Sequence, residues 1–389
     1  MISLIYRSFY LALLSALDLV FVLFFTLYLG VDAKTLGLIG MLWSLVYIVV
    51  SLVSNKLGDR GLVGVLAVIS SLAFISLISI LLTFSRIYLF LVLGYMLHSI
   101  ATATARVSNT VSINESYYFE EWSRAITMSQ VIQRFVYAII LLVLVFGSVN
   151  ILFVAGIIPY ILISFILPLA HEFRGFERRY SSIVSKLETL NHVSRFTVVT
   201  LDSNTRISYD LFNNRFNHSI SKSRLLLSIF LSATAIETLM FPIPAFMKSF
   251  LTLRDILLIY VILGLANGFA LLLTRDYSGN KHIASLFRVI AIIILFLSLT
   301  LPRDISTIAL LGVGFALNSV FNNMFVIEIT KIYNSISYGY GSGVLIAFLE
   351  LGALAGDIFL WLYLGGVGYS VIIILAGIIY VVSSLLVAR

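Results

Sequence analysis

The sequence predicts an all-α polytopic membrane protein whose twelve transmembrane helices form two pseudo-symmetric six-helix bundles, and three observations carry that prediction. Of the 389 residues, 60% are apolar and only 11% are charged, less than half the charge that a water-soluble surface needs. Twelve apolar runs of spanning length follow one another along the chain. One polar, basic segment interrupts them and leaves six runs on each side.

In chain order the runs fall at 8–30, 35–57, 62–84, 87–108, 123–147 and 150–170, then at 224–247, 254–274, 283–301, 306–329, 340–363 and 368–388. The first is of full spanning length and lacks a small-residue cleavage site, so it reads as an anchor and not as a removed signal peptide. The predicted domains are an N-terminal bundle (1–170), a cytoplasmic central loop (171–223) and a C-terminal bundle (224–389). Within the loop, 196–201 and 206–211 alternate apolar and polar residues around Asp202, Ser203 and Asn204. That is the pattern of a short hairpin, and a solvated irregular loop accounts for it equally well.

Charge placement sets the orientation. The even-numbered connections hold Lys56, Arg60, Arg124, Arg275, Lys281 and Lys331, and the central loop adds eight basic residues from Arg174 to Lys222. The odd-numbered connections hold only Lys34, Arg86, Lys248, Arg254 and Arg303. Because Lys and Arg are retained on the cytoplasmic side, both termini are expected there, in the cell membrane. The net charge of +7 is thus a topology signal with affinity for anionic headgroups of the lipid bilayer, and no nucleic acid is expected as a partner. Cysteine is absent, which excludes disulfides, thiolate metal sites and cysteine nucleophiles. The five histidines have no metal-ligand spacing, and no phosphate loop or nucleophile elbow is present, so neither cofactor nor enzymatic activity is expected.

A repeat joins the halves. Shifting the second half by 217 residues places Arg224 on Arg7, Leu231, Ser232 and Ala233 on Leu14, Ser15 and Ala16, Phe241 on Phe24, and Asp276 on Asp59. One ungapped shift aligns two spans and the loop after the second, as a duplicated six-helix unit requires. The stretch from Asn55 to Gly61 in that loop resembles the signature of the major facilitator superfamily, G-x-x-x-D-R-x-G-R-K. Asp59 and Arg60 match it, while the first Gly is Asn55 and the later Gly, Arg and Lys are Leu62, Val63 and Gly64. In the second copy Asp276, Gly279 and Lys281 match and Tyr277 replaces the Arg. The segment from Phe119 to Ala125 is similar to that family's loop between spans 4 and 5.

The resemblance implies two six-helix halves rocking about a midplane site lined by spans 1, 4, 7 and 10, and a gating role for Asp59, Arg60 and Asp276. The aspartate is suited to that role, since it can sit against the N-terminus of span 11, where unpaired N–H groups favour negative charge. Its other reading is an ordinary polar turn.

Ionisable groups at mid-depth cost around 2.5 to 3.5 kcal/mol on insertion scales, so each calls for a partner, water or a function. Asp18, His98, Glu237 and Asn318 lie about halfway along spans 1, 4, 7 and 10. Spans 5 and 11 add Arg134, Glu350 and Asp357. His98, Thr102 and Arg106 recur every four residues, as do Asn318 and Asn322, and such faces should point into the bundle or a wet cavity. Four acids face Arg134 and, nearer the cytoplasm, Arg106. The alternative role of a pair such as Arg134 and Glu350 is a buried bridge between helices. Arg288 and Glu328 lie close enough to a span end to snorkel. The small-residue pairs Gly264 with Gly268 and Gly352 with Gly356 suit close internal packing, and Pro242 and Pro244 interrupt span 7.

These features, with Tyr10, Phe21, Trp43 and Phe241 near the acids, predict a proton-coupled secondary transporter of a small cationic or amphipathic solute, with efflux favoured. The alternatives are uptake of a neutral or anionic solute through His98, Arg106 and Arg134, or a transport-inactive scaffold with a protein partner. Span 5 lacks the glycine and proline pattern of antiporters, which keeps both open. The topology is checked on this Cys-free background by placing a cysteine at Ser203, which is expected to resist an impermeant thiol reagent applied to intact cells. Labelling from outside would reverse the assigned orientation.

Overall fold

A computed structural model describes residues 2–58, 62–84, 87–116, 119–146, 221–240, 252–273, 281–300, 305–337, 342–363 and 369–387. The described residues form α1 (Ile2–Leu23) with a π-helical continuation (Phe24–Tyr28), α2 (Ala33–Gly58), α3 (Val63–Phe84), α4 (Tyr88–Ser116) and α5 (Phe119–Phe146), and then α6 (Lys222–Met240), α7 (Leu253–Leu273), α8 (Lys281–Thr300), α9 (Ile305–Ser337), α10 (Ser342–Tyr363) and α11 (Tyr369–Leu385). Helices α1 to α5 are the first five predicted spans, and α6 to α11 are the seventh to twelfth. Nine are long and apolar enough to cross a membrane, and α8 and α11 carry the shorter apolar stretches His282–Ser298 and Ser370–Leu385. The predicted sixth span, the loop before Ser221, Pro242, Pro244 and Phe241 lie outside the described residues.

The helices are apolar on the face that a soluble protein would make polar. In α2, Leu38, Leu42, Leu45, Val49 and Leu52 recur every three or four residues and are exposed, whereas Trp43, Ser44, Tyr47 and Ser51 are buried. Exposed Leu and Val suit a lipid solvent, while hydroxyl and ring N–H groups need partners inside the bundle. Local signals set the helix ends. After the π turn, Leu29 N–H bonds the Phe24 carbonyl at 3.1 Å and Val31 N–H bonds that of Phe25 at 3.0 Å. Gly30, at φ 66°, then takes the left-handed conformation that a side chain would disfavour. Asp32 starts α2 by accepting from Thr35 N–H at 3.4 Å, and its bonding to Thr35 holds the carboxyl below the ordinary carboxylate value. Thr252 and Asp255 cap α7 reciprocally, at 3.1 and 3.3 Å.

Helix pairing repeats between the halves. In the first, α4 packs on α1, α2 and α3, and α1 packs on α5; in the second, α9 packs on α6, α7 and α8, and α6 packs on α10. The shift of 217 residues carries Tyr88, the start of α4, to Ile305, the start of α9, so the duplication extends past the two spans that revealed it. Among the described residues two extensive cross pairs join the halves, α2 with α10 and α5 with α7, beside smaller ones of α4 with α10 and α5 with α9, and the same shift exchanges the members of each set.

The small-residue pairs sit at such contacts. A Cβ on Gly264 would lie 3.1 Å from Ala138 and Tyr137 across the α5–α7 contact, and one on Gly268 would lie 3.2 Å from the Phe135 ring. In α10 a Cβ on Gly352 would come 2.2 Å from the Phe230 carbonyl oxygen of α6. Backbone cannot yield as a side-chain tip does. Gly352→Ala is therefore expected to destabilise the protein by about 1 to 3 kcal/mol. Gly312→Ala, which meets no atom within 4 Å, should be neutral or stabilising by up to about 1 kcal/mol. Thermal unfolding of both purified variants checks the pair, and equal melting temperatures would contradict this account of the α6–α10 contact.

Candidate functional site

A cavity of about 500 Å³ lies between the halves and is lined by α1, α2, α4, α5, α6, α9 and α10. Ile113 late in α4, Ile126 early in α5, Thr330 late in α9 and Leu345 early in α10 line it, so it extends from mid-depth to the end of the bundle that holds the start of α1. At the opposite end the cross pairs close on each other. Lys34 Nζ stands 5.5 Å from the Trp361 ring between α2 and α10, and the Arg254 guanidinium stands 5.4 Å from the Phe146 ring between α7 and α5.

Asp18, Arg134, Glu237, Glu350 and Asp357, all expected at the site, line this one cavity together with Arg106. Their immediate partners are neutral. The Tyr95 hydroxyl donates to Asp18 Oδ1 at 2.8 Å, and the Tyr95 ring is held among Phe21, Trp43 and His98, with ring centroids 5.1 to 5.9 Å away. Ser44 Oγ donates to Glu350 Oε1 at 2.9 Å across the α2–α10 contact. Asp357 is 2% exposed, and its Oδ1 has no hydrogen-bond partner among the described residues. The expected alternative of an Arg134–Glu350 bridge is not formed. Arg134 instead donates to Asn323 Oδ1 at 3.3 Å; Asn323 donates to Asn267 at 2.7 Å, and Asn267 to Ser319 Oγ at 2.9 Å. A polar chain thus runs from α5 through α9 to α7 and back to α9. Arg106 lies 5.6 Å from the Tyr47 ring.

Two expected site residues lie behind the wall. His98 is fully buried and does not line the cavity. Its Nδ1 accepts from Trp43 Nε1–H at 3.2 Å and its Nε2–H donates to the Leu14 carbonyl at 2.8 Å, so both ring nitrogens are used in tying α1, α2 and α4 together. Asn318 is also fully buried, while its neighbours Ser319, Asn322 and Asn323 reach the cavity. Asp59, Arg60 and Asp276 lie outside the described residues. Of the expected aromatics, Trp43 lines the cavity, Phe21 supports Tyr95 from behind, and Tyr10 bonds Ser70 at 3.0 Å.

Arg288 departs furthest from expectation. It does not snorkel but is fully buried, donating to Ser232 at 2.8 Å and Ser384 at 2.7 Å, between the Phe325 and Tyr380 rings at 3.6 and 4.7 Å. Its bonding to Asn322 at 3.5 Å connects it to the cavity wall. Tyr95 and Ser44 went unrecognised as site residues in the sequence. The signal for Tyr95 was its place one turn before His98, on the same face of span 4.

The sequence model described as Major Facilitator Superfamily matches residues 4–340. A search of curated proteins gave no match. Among solved structures, the xylose transporter XylE from E. coli, in a partially occluded inward-open conformation, is similar with a TM-score of 0.64 at 15% identity, covering 98% of this chain and 94% of that one. The proton:xylose symporter XylE bound to 6-bromo-6-deoxy-D-glucose gives 0.68 at 14%, covering 99% and 94%. The human organic anion transporter MFSD10 (TETRAN) gives 0.62 at 15%, covering 99% and 98%. At such identities the likeness is one of fold.

The cavity boundary is tested at adjacent positions. A cysteine at Ser319 is expected to react with a small hydrophilic thiol reagent in the purified protein, and a cysteine at Asn318 to react at least about tenfold more slowly, because buried thiols are inert. Equal rates would place Asn318 in the cavity.

Proposed function

Because the chain belongs to the major facilitator superfamily, we propose that it is a secondary active transporter working by alternating access, which exchanges protons for a small cationic or amphipathic solute and moves that solute outward. The observation that carries this reading is the gathering of Asp18, Glu237, Glu350 and Asp357 around one cavity that holds two guanidiniums, Arg106 and Arg134. A set of carboxyls that binds either protons or a cation couples the movement of one to the other. The Trp43 and Tyr95 rings beside them offer a cation further attraction.

With both termini in the cytoplasm, this conformation faces inward, its outer end shut by the Lys34–Trp361 and Arg254–Phe146 contacts. Asp59 and Asp276, each just beyond a helix of a cross pair, are the proposed latches of the inner end in the opposite state. Uptake of a neutral or anionic solute is the second reading, and the observation in its favour is the presence of Arg106 and Arg134 in the same cavity.

Flux of a fluorescent organic cation in proteoliposomes under an imposed pH gradient tests the first reading. The Asp18→Asn/Glu237→Gln double variant should lose gradient-driven flux by at least about tenfold while keeping the unfolding temperature of the parent. Full gradient-driven transport by that variant would remove these two carboxyls from the coupling role.

A further inference from the structure

The cavity is divided by charge along its length, and α2 serves as a ruler for the division. Gly37, in its second turn, lies against the Asp357 backbone, Ser44 bonds Glu350, and Tyr47 lies under Arg106. At 1.5 Å per residue, Gly37 and Tyr47 are roughly 15 Å apart along the helix. Helix α4 gives a second measure. Tyr95 holds Asp18, and Arg106, eleven residues further along the sequence, is roughly 16 Å away by the same rise. Glu237 belongs with Asp357, since the Cβ of Glu237 is 2.9 Å from where Gly356 would carry one. Asp357 and Glu237 therefore lie towards the closed end, Arg106 stands nearer the open end, and Glu350 falls between them, one turn of α2 from Arg106.

Arginines placed only to neutralise those acids would pair with them. Among the described residues neither forms a contact ion pair with them, for Arg134 is bonded to Asn323 and Arg106 lies on Tyr47, while the buried Asp357 keeps an oxygen with no hydrogen-bond partner among those residues. Holding opposite charges apart in one cavity whose wall is partly apolar is costly, and a ligand that brings a counter-charge to each offsets the cost. Beside the carboxyls the wall has apolar parts, with Ile236, Leu349 and Ala353.

We propose that the cavity recognises a zwitterion, a small solute whose cationic group meets Asp18, Glu237, Glu350 and Asp357 and whose anionic group, across an apolar spacer, meets Arg106 and Arg134. This inference rests on the transporter reading and narrows its solute class.

Binding of ω-amino acids of increasing chain length to the purified protein in a non-ionic detergent tests it, with the alkylamine and the alkanoate of each length measured alongside. At the matching length the amino acid should bind at least about tenfold more tightly than the amine, as one additional charged hydrogen bond allows. Arg134→Gln should reduce that ratio towards one and Arg134→Lys should largely restore it, with thermal unfolding confirming that both variants fold. An amine that binds as tightly as every amino acid would overturn the zwitterion and leave the cation reading standing. Alkanoate binding without any contribution from the amine, or no saturable binding by any of the three, would overturn both.

Discussion

Lipid cannot solvate charge, and the arrangement of this chain follows from where six mid-depth charged side chains can go. Each would cost a few kcal/mol against hydrocarbon, and a two-half bundle offers one wet interior, the cleft between the halves. Asp18, Arg106, Arg134, Glu237, Glu350 and Asp357 all reach it. For a cleft to persist, the halves must touch elsewhere, and among the described residues they touch most extensively at α2 with α10 and at α5 with α7. At the α5–α7 contact, glycines bring the backbones close enough to leave the cleft helices α1, α4, α6 and α9 apart. At the α2–α10 contact, the Ser44–Glu350 hydrogen bond spans the interface and fixes a site carboxyl with a residue of the other half.

The spans and the duplication were legible because each rests on a long-range property, apolar length in one case and a single ungapped offset in the other. Position along a helix was legible too, since it follows from counting 1.5 Å per residue. Azimuth was the harder coordinate. Residues four apart differ by about 40° around a helix and adjacent ones by about 100°, so a run of polar residues on one stripe drifts off the cavity. Asn322 and Ser319 line it while Asn318 is turned into the packed interior of the second half. His98 lies midway along its helix like a site residue but is covered by Tyr95 of the same helix and by Trp43 of α2, and the pairing with Trp43 is one that no local pattern encodes.

Arg288 shows a different limit. Snorkelling was a fair expectation from its distance to the span end, but the outcome depends on what neighbouring helices offer. Ser232 of α6, Ser384 of α11 and the rings of Phe325 and Tyr380 make an interior more favourable than extension to the surface. A guanidinium is weakly hydrated and stacks on aromatic faces, so it tolerates such a place better than an ammonium would. The hydroxyls and rings are scattered over three helices, and sequence spacing does not bring them together.

The closed end is held by contacts individually small enough to be exchanged. A cation over an aromatic ring is worth about 0.5 to 1 kcal/mol at an exposed site, and Lys34 and Arg254 are both exposed. Deeper in the cleft, a hydrogen bond to a charged group between the halves, such as Arg134 to Asn323, adds about 1.5 to 3 kcal/mol. Their sum is comparable to the differential binding energy that shifts a two-state equilibrium by two or three orders of magnitude. A solute that engages Arg134 competes with the bond from α5 to α9, and one that engages Glu350 competes with the bond from α2 to α10. On the proposed reading, groups that meet the solute are also groups that tie the halves together, and a bound ion would thereby change which end of the cleft is shut.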